Sequence, residues 1–202
     1  MERGRYIAFE GAEACGKSTH VVRLAKELGA VATRETGGTR IGQLIRGVLH
    51  DTANMELTDK AEALLIAADR AQHLAEVVEP ALLAGRHVVS DRSVYSSLAY
   101  QAYGRALPFD RVQEINDWAL GGVWPDLVVL IEVDPAELAT RMEDRLLDRF
   151  EIAGDDFHER VADGFAKMAA EDPARWVVID GNRSVSQVSA GIRAVVHDRL
   201  GL

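Results

Sequence analysis

Residues Gly11-Ala12-Glu13-Ala14-Cys15-Gly16-Lys17-Ser18 match G-x-x-x-x-G-K-[ST] at every fixed position. The octapeptide follows YIAFEG (6–11), a short apolar run that reads as a buried strand. It leads into STHVVRLAKELG (18–29), which has helical periodicity and a glycine stop. A strand before and a helix after are what such a loop needs. Its glycines let backbone N–H groups turn inward as an anion nest, and the helix N-terminus adds a positive dipole end. The stretch Gly11 to Thr19 is the expected site for the phosphates of ATP. In it Lys17 is expected to reach the β- and γ-phosphates and Ser18 to bind Mg²⁺.

The rest of the chain keeps the same alternation. AVATR (30–34), HVVSD (87–91), LVVLIEV (127–133) and WVVID (176–180) read as four further strands. LVVLIEV is apolar over 127–131, with Glu132 only near its end, as a strand covered on both faces should be. TRIGQLIRGVLHD (39–51) reads as a helix with Ile41, Leu44, Ile45 and Leu49 on one side. A long helix N-capped by Thr58 carries Ala61, Leu64, Leu65, Ala68 and Ala71; Pro80 starts its last turns and Gly85 ends it. FDRVQEINDWALGG (109–122) is another helix. DPAEL (134–138) predicts an Asp N-cap with Pro in first place, and SVSQ (184–187) a capping box. The pattern predicts an α/β fold of P-loop NTPase type, a five-stranded parallel sheet flanked by helices, in one domain over 1–202.

Charge narrows the partners. Thirty-two acidic against 23 basic residues leave a net −9, which argues against nucleic acid and acidic membrane as partners. Any phosphate chemistry must use a local basic pocket. No apolar run approaches the roughly 18 residues that span a bilayer. The opening strand leaves no room for a signal peptide, and one cysteine makes no internal disulfide. Cytoplasm is the expected location. Cys15, beside Lys17 and a helix N-terminus, has two readings: a reactive thiol, or a small residue filling a tight loop.

GTPases need N-K-x-D and D-x-x-G, and neither occurs here. The apolar strand 127–133 ends in Glu132-Val133-Asp134-Pro135 rather than the D-E pair of large ATP motors. Small kinases remain, and these need cations near the γ-phosphate to hold an acceptor. DRSVYSSLAYQ (91–101) supplies candidates at the C-terminal end of a strand, where open parallel sheets bind ligands. Arg92 offers a planar fork for two phosphate oxygens, and Asp91 could steady it or the metal's water shell. In a helix Ser93, Ser97, Tyr100 and Gln101 share a face that suits a nucleobase.

Taken together, FEGAEACGKST (9–19), RETGGTRIG (34–42), EALLIAADRAQH (62–73), DRSVYSSLAYQ, WPDLVVLIEVDP (124–135), DRFE (148–151) and RWVVID (175–180) resemble the thymidylate kinase family, in order and over nearly the whole chain. The resemblance implies transfer of the γ-phosphoryl group of ATP to dTMP with Mg²⁺, in a homodimer. It implies Lys17 on the transferred group, Arg92 between donor and acceptor phosphates, and Asp91 with Ser18 at the metal. Glu13 would order the site or contact the sugar. Arg70 would read the base, with Ile66, Ser97, Tyr100 and Gln101 lining base and sugar; an ordinary solvated helix arginine is the plainer reading of Arg70. Residues 141–151 resemble a lid over ATP. Because Ala14 stands where some relatives carry a loop arginine, the lid would supply that charge, through Arg149 first and Arg145 or Arg141 less directly. Ile66, Thr36, Arg40 and Ser93 depart from the family's usual Phe, Pro, Pro and aromatic or His. Two alternatives stay open on the residues: a deoxynucleoside kinase, and a nucleotide-binding regulator without catalysis.

Overall fold

The computed structural model describes residues 2–143 and 146–202. Its strands are β1 (Tyr6–Glu10), β2 (Val31–Arg34), β3 (Val88–Asp91), β4 (Leu127–Glu132) and β5 (Trp176–Asp180). All pair in parallel, in the order β2-β3-β1-β4-β5. The strand that feeds the phosphate loop is therefore central, and the strand that ends at Asp91 lies beside it. Phe9 is in register with Asp91, so the loop and Asp91-Arg92 leave the same edge of the sheet together.

Side chains alternate across the sheet. Tyr6, Val88, Val128 and Trp176 enter one core, while Ile7, Phe9, Val89 and Val129 enter the other. The second core is closed by α1 (Lys17–Leu28) and α9 (Val185–Leu200) through Val21, Leu24, Val188 and Ile192. The capping box expected before α9 is present, with Ser184 and Gln187 bonding each other's backbone N–H groups. On the other face lie α2 (Arg40–His50), α3 (Asp59–His73), α4 (Glu79–Leu83), α5 (Val94–Ser97), α6 (Phe109–Leu120) and α8 (Asp155–Glu171). Between β4 and α8 the chain forms α7 (Pro135–Met142). Each fully buried large aliphatic side chain contributes about 1.5–3 kcal/mol.

Four local expectations are corrected. The helix from Thr58 runs on through Leu83, but residues 74–78 are π-helical. Pro80 has no N–H to give to the carbonyl four residues back, so the ladder shifts register just before it. A second π segment, Leu98–Gly104, continues α5. Asp134 begins α7 without a side-chain cap; its backbone N–H instead bonds Asn182 at 2.9 Å. The apolar rows of α2 and α3 do not face inward as a group: of the α2 row only Leu49 is buried, and α3 buries Glu62, Ala63, Ile66, Asp69, Arg70 and His73 while exposing Leu64 and Ala68.

Candidate active site

The phosphate loop takes the conformation its glycines allow. Gly11 and Gly16 have φ of +138° and +100°, and a Cβ on Gly11 would lie 2.5 Å from the carbonyl of Ile131. Lys17 is buried, and its Nζ donates to the carbonyls of Ala12 (2.7 Å) and Gly11 (3.2 Å). Ser18, in the first turn of α1, donates its Oγ hydrogen to the carboxylate of Asp91. Two hard oxygen ligands predicted from separate motifs thus meet, a pair that fits Mg²⁺. No cluster of three or more His, Cys, Asp or Glu suits a metal among the described residues. Cys15 is 2 % exposed and packs with Ile7, Phe9 and Val21, so the geometry favours its reading as a loop filler.

Arg92 lines a cleft of about 730 Å³ together with Lys17, Ser18 and Thr19. Its backbone lies in the left-handed region at φ +71°, a strained state for a non-glycine residue. The surroundings hold it there: its N–H bonds the carbonyl of Phe9, and its carbonyl accepts from Ser90 Oγ at 2.8 Å. Its guanidinium donates to Gly11 O, Ser96 Oγ and Tyr100 OH, and pairs with Glu13. Burial works against a charged Glu13, but Arg92 and Lys17 outweigh it and hold the carboxyl far below its usual range. Glu10, which sequence reading missed, accepts from both Ser93 (2.7 Å) and Ser96 (2.6 Å); burial pushes its carboxyl up.

A further cation, Arg46 of α2, lines the same cleft and was also missed. It donates to Thr36 O (3.3 Å) and Thr36 Oγ1 (3.4 Å). Burial, then the nearby positive charges of Arg34 and Arg92, push its pKa down. A protonated arginine in such surroundings gains from an anion beside it.

At the far end, Arg70 is 1 % exposed, which rules out the solvated-arginine reading. Nε donates to Glu35 (2.8 Å), Nη1 to Ser97 (2.9 Å) and Asn116, and Nη2 to the Ser93 carbonyl (3.1 Å). Ile66, Ser97, Tyr100 and Gln101 line the cleft beside it. Gln101 also donates to Glu62 at 2.8 Å. Asn116 stands in no motif that would mark it, and Glu35, although it lies within RETGGTRIG, is brought to Arg70 only by the fold.

The lid arginines separate. Arg149 is buried in an ion pair with Glu62 and donates Nε to Leu49 O at 2.9 Å, so its donors are engaged by these groups rather than by the phosphate loop. Arg141 reaches toward the loop, with Nη1 3.4 Å from Ala14 O and Nη2 3.4 Å from Gly181 O. Arg145 lies outside the described residues.

Residues 9–192 match the family model described as Thymidylate kinase. The chain is 43% identical over 206 residues to the thymidylate kinase of Desulforudis audaxviator, covering 97% of this chain and 93% of that one. It is also 43% identical to the thymidylate kinase of Bifidobacterium longum over 203 residues, covering 96% and 98%. Among solved structures it is similar to the crystal structure of thymidylate kinase from Ehrlichia chaffeensis, with a TM-score of 0.80 at 28% identity over 96% of this chain and 99% of that one.

Proposed function

The chain belongs to the thymidylate kinase family and is an ATP-dependent kinase that converts dTMP to dTDP, and from that premise we propose which residues of the cleft do the work. One observation carries the assignment. A phosphate loop and a buried base-end arginine, Arg70, close the two ends of one cleft, with Arg46 and Arg92 between them. Among the described residues Arg46 hydrogen-bonds only Thr36, with the carboxylates of Asp148 and Glu13 farther off; a monophosphate acceptor supplies an anion in direct reach and a nucleoside does not.

In this reading ATP lays its phosphates along Gly11 to Thr19, with Lys17 leaving the loop carbonyls for the transferred group. Its adenine enters the neighbouring cleft lined by Gly16, His20, Arg141, Arg183 and Val185. The phosphate of dTMP rests on Arg46 and Arg92, and Glu13 keeps Arg92 aimed. Thymine lies against Ile66 and is read by Arg70, with Ser97, Tyr100 and Gln101 around base and sugar. Mg²⁺, held through Ser18 and Asp91, would neutralise phosphate charge. In-line transfer asks the protein for position and charge rather than covalent chemistry, so Arg92 and Lys17 contribute by following the charge that develops between donor and acceptor. Arg149 acts in this scheme by fixing the lid segment to Glu62, and Arg141 is, among the described residues, the lid cation that reaches the loop.

We further propose a single domain over 1–202 with a lid at about 141–151, cytoplasmic in location, since both substrates are free nucleotides and the one cysteine forms no disulfide framework. A homodimer through α2, α3 and α6 is supported by their adjacency and by what they expose: Leu44, Val48, Leu64 and Trp118, the last 88 % accessible. ADP release measured with dTMP, dUMP and thymidine tests the acceptor assignment. The expected order is dTMP, then dUMP, with thymidine inactive; faster turnover of thymidine than of dTMP would overturn it.

A further inference from the structure

Two stretches that mark the family resemblance, RETGGTRIG and EALLIAADRAQH, contribute Glu35 and His73, for which the scheme above has no role. Both are buried, His73 completely. Oε2 of Glu35 accepts from Nε of Arg70 at 2.8 Å, and Oε1 accepts from Nδ1 of His73 at 2.9 Å. The Nε2 of His73 lies 2.7 Å from Oγ1 of Thr33 on the edge strand β2. A carboxylate only accepts, so Nδ1 must carry a hydrogen, and in a neutral ring Nε2 then accepts from the Thr33 hydroxyl. Every polar atom along the chain Thr33–His73–Glu35–Arg70 has a partner.

The backbone is shaped around this chain. A Cβ on Gly38 would lie 2.7 Å from Cδ2 of His73 and 2.5 Å from the carbonyl of Arg34. The position admits no larger residue while the imidazole stays where it is. Gly37 donates its N–H to Oδ1 of buried Asp69, and a Cβ on Gly42 would lie 2.3 Å from that same oxygen. The glycines of RETGGTRIG thus seat the side chains of α3 that stand behind Arg70.

A guanidinium has five N–H donors. Four bonds, to Glu35, Ser97, Asn116 and Ser93, leave one Nη2 hydrogen for a ligand. A single donor reads a base only when its direction is fixed. Resting on the reading of Arg70 as the base-end arginine, we propose that Glu35, backed by His73 and Thr33, is a positioning residue for it. Together they hold the guanidinium so that the pocket takes a pyrimidine with a ring keto oxygen facing Arg70 and rejects one with an exocyclic amine there. An amine would set donor against donor, the kind of mismatch that buried polar sites discriminate strongly.

The test compares kcat/KM for dTMP with kcat/KM for dCMP in wild type, Glu35→Gln, Thr33→Val and Arg70→Lys, with KM for ATP and melting curves alongside. Thr33→Val keeps shape on an edge strand and removes only the hydroxyl, so it serves if Glu35→Gln folds poorly. The expected result is a dTMP/dCMP ratio lowered about tenfold in Glu35→Gln and a few-fold in Thr33→Val, with KM for ATP unchanged. A lower melting point with the ratio intact in both variants would make the chain purely structural and overturn the proposal, provided Arg70→Lys loses the ratio. A ratio intact in Arg70→Lys as well would overturn the base-reading role of Arg70 itself.

Discussion

The Glu13 carboxylate of the phosphate loop pairs with the guanidinium of Arg92, so the donor site and the segment that follows β3 are tied by one ion pair. Arg92 is half-buried on strained backbone, and Glu13, with Tyr100 and Glu10 behind it, outweighs the desolvation that opposes its charge. A side chain restrained this heavily is pre-organised for charge that appears only during transfer.

Arg92→Ala should therefore lower kcat by about 10³ while changing ATP affinity little, the range found for arginines that stabilise phosphoryl transfer. Arg92→Lys should also be poor, because an ammonium cannot span Glu13 and two phosphates as a fork does. Steady-state kinetics together with calorimetric ATP binding measure both. Near-normal turnover in Arg92→Ala would show that the residue only braces the loop.

Ile66 lines the base end of the cleft at 8 % exposure, where the resemblance leads one to expect an aromatic ring. Base–aromatic stacking is worth about 1–3 kcal/mol, of which isoleucine keeps only the apolar part. Ile66→Phe should lower KM for dTMP several-fold, at roughly 1.4 kcal/mol per tenfold, and leave KM for ATP unchanged. Crowding against Ala63 and Ala67 opposes this by up to about 1–3 kcal/mol, so a melting curve must accompany the kinetics. An unchanged dTMP KM in a normally folded variant would remove Ile66 from the base site.

Cys15 gives a prediction opposite to that of a reactive loop thiol. Its Sγ packs in the core 3.7 Å from Lys17 Nζ. Alkylation of the folded enzyme should be slow, limited by local opening of the loop, and slower still with ATP bound. Cys15→Ala should retain activity and cost about 1 kcal/mol of stability. Labelling as fast as that of the unfolded chain would return Cys15 to the reactive class.

How legible the site was depended on whether its residues were neighbours in sequence. Gly11 to Ser18 and Asp91-Arg92 could be read because each group works as one contiguous backbone segment at a strand end. Glu10, Glu35 and Asn116 could not, because each matters through a partner 35 to 86 positions away, such as Arg70 with Glu35 or Ser96 with Glu10, and Arg46 stands in no motif at all. α3 was misread for a physical reason. Its inward face carries Glu62, Asp69, Arg70 and His73 because it borders a polar cleft, so hydrophobic periodicity marked the outer face as the core side. Arg149 was assigned to the phosphates from the lid's sequence, but its ion pair is made by Glu62, which only the fold brings near.

The Glu35–Arg70 pair also sets an acid limit on stability. Burial alone would raise the carboxyl of Glu35, but Arg70 and the hydrogen bond from His73 overcome it and hold its pKa below normal. A depressed folded pKa contributes stability that is complete above the unfolded value, about 4.3, and is lost as pH falls through the folded value. Glu35→Gln lacks that contribution at every pH and leaves Arg70 buried without its anion, a change that costs about 3–5 kcal/mol at neutral pH. For a chain of this length that corresponds to a melting point lower by roughly 10 °C. The gap between wild type and Glu35→Gln should be widest near pH 7 and narrow steadily below about pH 4. Melting curves of both proteins from pH 7 to 3 measure it directly. A gap that stays constant over that range would mean Glu35 is not ionised in the folded protein, and the charge assigned to the pair would be wrong.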